Sequence, residues 1–511
     1  MSGIFINSDA WNFWIAKPEQ MTAEGIRADV DFYTAGGGVE AIFYNMNFQR
    51  SFYPTKVGTP YDKDLEVTED GTLLLRGEPV TKENGADEYK MFYINYTTLK
   101  KNCPDYMQLR YDYCHEKGVE MWHSMRMNDV HHSRIGQEHR PQHCDLWQER
   151  KDLIRAWYRH SWRGEWVDGA FDYGQQEVYD YHLAMAREYL LDYESDGIEL
   201  DWLRCAPVFK PGYDEINTPI LTQFMRDVRA AADEAEKKWG HRLRIAVRVP
   251  GQVMDAIGMG MDVHTWAKEG LIDVLIPSPR DVCTEQDYNV TLWRQLAPAP
   301  VILAPCIDCA LKAAPGYIWS FRYTTETDCG FASNYYQQGA DTIYLYNHFP
   351  FQAKEHPEMQ RFLSYVGNRK KVAAHARRHA VTNHVQNGEG KFAGLTFPHQ
   401  IWSQCCNGGV KVNVGEDVAG KTAKVVIGAT KTLDIDILVN TKLCPMLPKD
   451  TPLPDPVPAS KDTQTWYVQA EIPAGLLHEG WNVVEIFHKG WFTLLAEELI
   501  WMEIVIDGEK G

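Results

Sequence analysis

The sequence predicts an α/β protein: a (β/α)8 TIM barrel followed by a C-terminal β-sandwich domain. Eight short apolar runs in the first two-thirds of the chain alternate with helical patterns, as such a barrel requires. Nearly every run ends in a polar or charged residue, at the face where barrel enzymes keep their active sites. After about Lys371 the helical patterns stop, and short alternating strands separated by Gly and Asn follow.

The eight predicted barrel strands are short and bounded by turn residues. They span residues 3–9, 41–45, 119–126, 197–202, 243–249, 272–276, 301–304 and 342–347. Helical spacing of apolar residues is clearest over 177–191 and 218–238. Two segments, 46–90 and 127–175, are too long to be ordinary loops of a few residues. Because they follow the second and third strands, we expect them to shape a substrate pocket.

The predicted domains are a catalytic barrel over 1–370 and a β-sandwich over 371–511. Strands of the sandwich are predicted at 411–414, 423–427, 433–439, 465–470, 481–486 and 501–506, with the proline-rich stretch 445–458 as an internal loop. The run 472–486 resembles a sequence common in galactose-binding-like domains attached to glycosidases. Glycan binding by this domain and simple packing against the barrel both remain open.

Composition excludes several classes of partner. The chain of 511 residues has a formal net charge of -18, which argues against nucleic acid and anionic membranes as partners. No apolar stretch reaches the roughly 20 residues of a membrane span, so a soluble protein is expected. The 11 cysteines are odd in number and scattered, which favours reduced thiols in a cytoplasm-like compartment. The close pair Cys306 and Cys309 lacks the further ligands of a zinc site.

Charged residues are predicted inside the barrel, because strands alternate between their two faces. In the fifth strand the apolar positions alternate with Arg244 and Arg248, so these arginines point inward. Glu199 and Asp201 of the fourth strand share that orientation, as does Glu120 of the third. We expect Glu120 and Arg244 to form an internal ion pair, and Asp201 and Arg248 to lie near the catalytic mouth.

The segment after the third predicted strand concentrates side chains that can transfer protons or bind metal ions. It places Arg126, Asp129, His131 and His132 at one rim of the barrel. Three interpretations remain open: a zinc or manganese site that also uses Asp201, loop histidines bonded to backbone carbonyls, and a histidine that donates a proton. The spacing matches no common metal motif.

Other strand ends add carboxylate, amide and phenol groups. Asp9 follows the first strand, where it could act at the mouth or cap the next turn. Asn45, Tyr346 and Asn347 end the second and last strands. Carboxylates, amides and aromatic residues together are typical of a sugar site, and no phosphate-binding glycine motif is present.

Three runs carry a resemblance to known families: 196–204, 125–132 and 247–250. They resemble the family-10-like barrel glycoside hydrolases and, within them, glycoside hydrolase family 156, the inverting exo-sialidases. The resemblance covers residues 1–370. It implies that His131 is the general acid and Asp9 the general base.

The same resemblance implies how a sialic acid would be held. Arg126, Arg204 and Asn347 are its implied contacts, while His132 could take the acid role and Arg248 could replace either arginine. Asn45, Asp201 and Tyr346 complete the expected contact set. The expected partner is a sialylated glycan or free sialic acid, with no cofactor and no metal, and a homodimer is possible.

Alternatives to an inverting sialidase stay open. Another barrel glycosidase could act on a neutral or uronic sugar through Glu199 or Asp201. A metal-dependent deacetylase could place ions on Asp129, His131 and Asp201. The barrel could also bind glycans without turnover.

Overall fold

The structure is a computed structural model. It describes residues 3–134, 136–162, 166–279, 283–308, 311, 324–348, 358–382, 399–401, 406–458, 464–489 and 497–509. Cys309 of the close cysteine pair lies outside these ranges.

Strands and helices alternate along the first three-quarters of the chain. The helices are α1 (Ala10–Trp14), α2 (Ala23–Thr34), α3 (Ala86–Asn102), α4 (Tyr106–Glu116), α5 (Asp145–Glu149), α6 (Gln176–Asp192), α7 (Thr218–Trp239), α8 (Val253–Gly258), α9 (Val263–Lys268), α10 (Val290–Leu296), α11 (Thr325–Gln337), α12 (Glu358–Leu363) and α13 (Arg369–Ala374). Short 3-10 helices lie at Pro18–Gln20, Lys151–Leu153, Trp157–Trp162 and Trp166–Gly169.

The strands of this part belong to one parallel sheet or to small ribbons beside it. They are β1 (Ile4–Ser8), β2 (Val39–Asn45), β3 (Arg50–Ser51), β4 (Thr59–Pro60), β5 (Leu65–Val67), β6 (Leu73–Leu75), β7 (Glu78–Pro79), β8 (Glu120–Arg126), β9 (Gly197–Asp201), β10 (Arg244–Pro250), β11 (Val274–Ser278), β12 (Ile302–Leu303), β13 (Cys306–Ile307) and β14 (Tyr344–Leu345).

The main sheet has nine parallel strands in the order β12-β11-β10-β9-β8-β2-β1-β14-β13. Each predicted barrel strand overlaps a strand of this sheet. The prediction of a closed barrel of eight strands is nevertheless wrong. At the seventh position, β12 overlaps the predicted strand 301–304 and pairs with β11 at one edge, whereas a second short strand, β13, pairs with β14 at the other.

Proline explains the division of the seventh strand. Only Ala304 and Pro305 separate β12 from β13. Proline has no N–H group to donate to a neighbouring strand, so a continuous ladder cannot pass through it. The backbone still bonds on both sides, because Ala304 N donates to Leu275 O at 2.9 Å and Tyr344 N donates to Pro305 O at 3.1 Å.

The interior of the parallel sheet is apolar with charged pairs set into it. Phe43 stacks on Trp122 with ring centroids 4.8 Å apart, and both side chains are buried. Arg244 donates to Glu120, so the predicted ion pair is present, but its side chains are 23% and 32% exposed and it is not fully internal. The inward orientation of the arginines of β10 thus follows from its alternation, as expected.

The two long insertions fold into small elements beside the sheet. Residues 46–90 hold the ribbon β3-β4 and the three-stranded sheet β5-β6-β7. Residues 127–175 hold α5 and the 3-10 helices that follow it. Both leave the carboxyl ends of their strands, the end at which the site residues lie.

Two antiparallel sheets form the C-terminal part, as a β-sandwich domain requires. Their strands are β15 (Arg377–Val381), β16 (His399–Ile401), β17 (Cys406–Asn413), β18 (Ala423–Ala429), β19 (Ile435–Val439), β20 (Lys442–Cys444), β21 (Trp466–Ile472), β22 (Trp481–His488) and β23 (Glu497–Ile506). One sheet has the order β15-β23-β18-β21 with β16 beside β23, and the other has β17-β22-β19-β20.

Among the described residues, no helix is both long and apolar enough to cross a membrane.

Candidate functional site

Arg126, at the end of β8, lies between two buried carboxylates. Its Nη2 donates to Asp9 Oδ2 at 2.7 Å, and its Nη1 donates to Asp129 Oδ2 at 2.8 Å. All three side chains are at most 4% exposed. These contacts are therefore buried ion pairs, whose members each depend on the other for charge compensation.

Asp9 has a second, structural task. Its Oδ1 accepts from Trp11 N at 3.2 Å, and Asp9 is the N-cap of α1. The capping role considered for this residue is therefore present. A carboxylate offers about four lone-pair positions, so the two contacts leave room for a water molecule as a further partner.

Asp129 holds the ring of His131. Nδ1 of His131 lies 2.8 Å from Asp129 Oδ1, and the backbone N of His131 donates to the same oxygen at 2.9 Å. Burial acts to raise the pKa of Asp129, but His131, Arg126 and Arg204 outweigh it and hold that pKa well below its usual range. The carboxylate is therefore ionised and accepts a hydrogen bond from Nδ1.

His131 reaches solvent with its other nitrogen. Its side chain is 43% exposed, and its Nε2 lies 3.1 Å from Nη2 of Arg204. Arg204 follows β9, so the contact joins two strand ends. The structure thus brings Asp9, Arg126, His131 and Arg204 into one continuous chain of contacts through Asp129.

His132 differs from its neighbour. Its ring is half-buried, and burial together with the charge of Arg140 lowers its pKa to about 4. Its carbonyl lies 3.2 Å from Nε2 of His143. Because a side chain with this pKa is neutral near pH 7, His132 is poorly suited to donate a proton there.

Asp201 and Arg248 form a bidentate pair at the ends of β9 and β10. Nε and Nη2 of Arg248 donate to the two carboxylate oxygens at 3.0 and 3.1 Å, and Nη1 donates to Ser278 Oγ at 2.7 Å. The guanidinium lies 3.9 Å from the ring centroid of Tyr346. This arrangement occupies Arg248, so we assign the pair a structural task beneath the mouth.

Tyr346 lies close to three guanidinium groups. Burial raises its pKa to about 12, while Arg204, Arg248 and Arg126 oppose that rise. Its position therefore links the Asp201 pair to the chain of contacts around His131.

Asn45 and Asn347 lie at two further strand ends. Both are buried. Nδ2 of Asn347 donates to Asp308 Oδ1 at 3.3 Å, and its backbone φ is 58°. Oδ1 of Asn45 has no hydrogen-bond partner among the described residues. The structure does not show a contact between either amide and His131.

Glu199 lies deeper in the sheet than the other predicted site residues. It is fully buried, and its Oε1 accepts from Tyr344 OH at 2.7 Å. Burial and the nearby charge of Asp201 raise the pKa of Glu199 to about 7. Glu199 precedes the carboxyl end of β9, where Asp201 lies, and its side chain faces the closed interior, so the geometry does not favour Glu199 as a catalytic acid.

Replacement of Glu199 by glutamine should change how stability depends on pH. Between the ordinary glutamate pKa of about 4.3 and the raised value, the folded state binds more protons than the unfolded state, so wild-type stability falls as pH rises. Glutamine keeps an acceptor for Tyr344 and carries no charge. Relative to wild type, we expect Glu199→Gln to gain on the order of 2 kcal/mol between pH 5 and pH 8.

Urea denaturation of both proteins at the two pH values measures this difference. Glu234→Gln, at an exposed surface position, is the control. A Glu199→Gln difference that does not vary with pH would show that the carboxyl is ionised in the folded protein throughout.

The position that the sequence analysis missed as a site residue is Asp129. It was considered only as a metal ligand, whereas it fixes His131 and pairs with Arg126. The signal was available: an aspartate two residues before a histidine can accept the histidine N–H in an Asx-turn and so meet its ring.

The metal interpretation finds no support in the geometry. Across the described ranges, no group of three or more His, Cys, Asp or Glu side chains is placed to hold a metal ion. Asp201 pairs with Arg248, and Asp129 pairs with Arg126 and His131.

Comparison with known proteins gives no family. No family model matches the chain, and no curated protein matches it. Similar solved structures include a cycloisomaltooligosaccharide glucanotransferase of Paenibacillus sp., with 10% identity, a TM-score of 0.33 and coverage of 98% of this chain and 57% of that one. The chain therefore spans little more than half of that enzyme.

Two further structures are matched over nearly their whole length. A glycoside hydrolase family 18 N-acetylglucosaminidase of Paenibacillus barengoltzii has 8% identity and a TM-score of 0.35, with coverage of 71% of this chain and 99% of that one. Chitinase ChiA74 of Bacillus thuringiensis has 10% identity and a TM-score of 0.38, with coverage of 98% and 100%. TM-scores this low establish neither a shared fold nor a shared activity.

Proposed function

We propose that the protein is a glycoside hydrolase that removes terminal α-linked sialic acids by a single, inverting displacement without a metal ion. His131 is the general acid and Asp9 the general base. The observation that carries the proposal is the contact chain from Asp9 through Arg126 and Asp129 to His131. Arg126 binds Asp9 directly and is linked to His131 through Asp129, so the proposed acid and base are positioned by one connected set of contacts.

Arg204 favours an anionic sugar over a neutral one. It has no carboxylate partner among the described residues, and its Nε is buried without an acceptor. Nε of Arg126 is likewise buried without an acceptor. Since unpaired buried donors are costly, two of them beside one exposed histidine favour a ligand that brings acceptor oxygens, such as a carboxylate.

The chemistry follows from the charges. A sialoside carries its carboxylate on the anomeric carbon, where a carboxylic acid would become a repelled carboxylate on giving up its proton, whereas an imidazolium is attracted and becomes neutral. His131 gives its Nε2 proton to the leaving oxygen, while Asp9 takes a proton from water on the opposite face of the sugar. Arg126 positions both groups, and Arg204 holds the carboxylate.

The remaining expected contacts belong to this proposal. Asn347 and Asn45 would offer amide groups to the sugar, and Tyr346 would lie under the arginines. Asp201 and Arg248 are buried and paired with each other, so they would support the residues at the mouth of the site. Residues 1–370 would form the catalytic domain, and glycan binding by the C-terminal sheets and homodimer formation stay predictions.

Hydrolysis of an aryl α-sialoside tests the proposal. Proton NMR of the first product should show the β-anomer of sialic acid, as inversion requires. First appearance of the α-anomer would contradict the single displacement. Absence of release by a folded protein, together with release from an aryl uronide or an acetylated sugar, would contradict the sialidase assignment.

A further inference from the structure

The hydrogen bonds of His131 define which of its nitrogens carries a proton. A guanidinium has only donors, so Nε2 of His131, 3.1 Å from Nη2 of Arg204, must be an acceptor without a proton. Asp129 is an ionised carboxylate and only accepts, so Nδ1 carries the proton. In the ligand-free protein the imidazole is therefore neutral.

This resting state is the wrong one for the role proposed above. A general acid must carry its proton on the nitrogen that faces the substrate, and here a cation occupies that position. A protonated Nε2 and the donating Nη2 of Arg204 cannot share one hydrogen bond. For His131 to become an acid, Arg204 has to move away.

Apart from Arg204, the described groups around His131 do not contact Nε2. On its own loop lie Asp129, bonded to Nδ1, and His132, whose ring centroid is 6.4 Å away. Arg126 of β8 acts through Asp129, and the uncharged ring of Phe48, after β2, is 6.2 Å from the imidazole. Among the described residues, Arg204 is thus the charged group that decides whether Nε2 can take a proton.

We propose that Arg204 keeps His131 uncharged until a carboxylated sugar binds, so that the substrate's own anion charges the catalytic acid. This inference rests on the proposed function. The N–H of Arg204 exchanges its bond to Nε2 for a bond to the substrate carboxylate. The freed Nε2 then takes one proton from water, and the complex gains that proton from solvent.

Specificity follows from the same exchange. A neutral glycoside offers no anion to Arg204, so Nε2 stays occupied and the leaving oxygen receives no proton. Arg204 is then a positioning residue that acts through His131 as well as a contact of the sugar. Discrimination against neutral sugars arises in the chemical step, in addition to binding.

Nitrogen NMR of protein labelled with ¹⁵N in histidine tests the exchange directly at pH 7.5. The Nε2 signal of His131, assigned by its loss in His131→Asn, should report an unprotonated nitrogen in the free protein. On saturation with the uncleaved unsaturated analogue of sialic acid it should shift to the protonated value. Calorimetry in buffers of different ionisation enthalpy should show net proton uptake on binding.

Arg204→Ala tests the resting contact without any ligand. At one pH near neutrality, the protonated fraction of Nε2 should be higher in the free variant than in wild type, and binding should take up fewer protons. Arg226→Ala, which removes a distant surface arginine, should match wild type. A protonated Nε2 in free wild type, or no effect of Arg204→Ala, overturns the proposal.

Failure of the proposed function has a different signature. If glucuronate protonates Nε2 and the sialic acid analogue does not, the exchange stands and the sialidase assignment falls. If no carboxylated sugar protonates Nε2, the exchange itself is wrong, even when aryl sialosides are hydrolysed.

Discussion

His131→Ala is expected to slow hydrolysis of natural sialosides severely while sparing much of the activity on activated aryl sialosides. A sugar alkoxide is a poor leaving group and needs a proton in the transition state, whereas an activated phenolate leaves without one. We expect kcat/KM to fall about 100- to 10,000-fold for a sialyl-lactose substrate, and far less for a nitrophenyl substrate.

The matched control is His115→Ala. His115 is 44% exposed and pairs with Asp196 at 2.9 Å, so it repeats the exposure and the carboxylate contact of His131. It lies where α4 ends, before β8 begins, and so at the opposite end of the strands from the site. We expect it to retain wild-type kcat/KM on both substrates. Equal losses on both substrates in His131→Ala would show that the residue does not protonate the leaving group.

The face of the sheet on which each charged side chain lies could be predicted from the alternation of side chains along a strand. A strand of period two fixes which side chains face the interior, so the pair of Arg248 with Asp201 follows once β10 and β9 are known to be neighbours. Arg244 and Glu120 share this interior face and meet across β9. Pro305 directly follows the predicted seventh strand, 301–304, but the second short strand beyond it, β13, was not predicted.

The contacts of Arg126 could not be predicted in the same way. In the sheet order, β2 lies between β8 and β1, so Arg126 reaches past a whole strand to meet Asp9. Its length and rotamer decide that contact, and alternation does not report them. The sequence therefore indicated Arg126 as a direct clamp for a substrate, whereas two of its donors are committed to carboxylates of the chain itself.

Arg126→Gln is expected to destabilise the protein strongly and to remove activity. Loss of the guanidinium leaves Asp9 and Asp129 buried without their cation, and breaking a buried pair in this way costs about 3 to 5 kcal/mol. This loss is large beside the total stability of a typical domain, about 5 to 15 kcal/mol. Urea denaturation at 25 °C, followed by tryptophan fluorescence, measures it. The free energy of unfolding of Arg126→Lys, which keeps the positive charge but not the two-pronged guanidinium, should lie between those of Arg126→Gln and wild type.

Comparison with Arg226→Gln shows whether burial or the number of hydrogen bonds determines how much stability is lost with an arginine. Arg226 also makes two charged hydrogen bonds, at 2.7 and 2.8 Å to the carboxylate of Glu269, but its side chain is 42% exposed. Water screens this pair, so its removal should change the free energy of unfolding far less than removal of the buried Arg126 pairs. If Arg126→Gln cost no more than Arg226→Gln, the buried carboxylates would have to be protonated or rehydrated in the variant. Arg126 would then not be the group that keeps Asp9 and Asp129 charged and in place, and the link between the proposed base and the proposed acid would lose its physical basis.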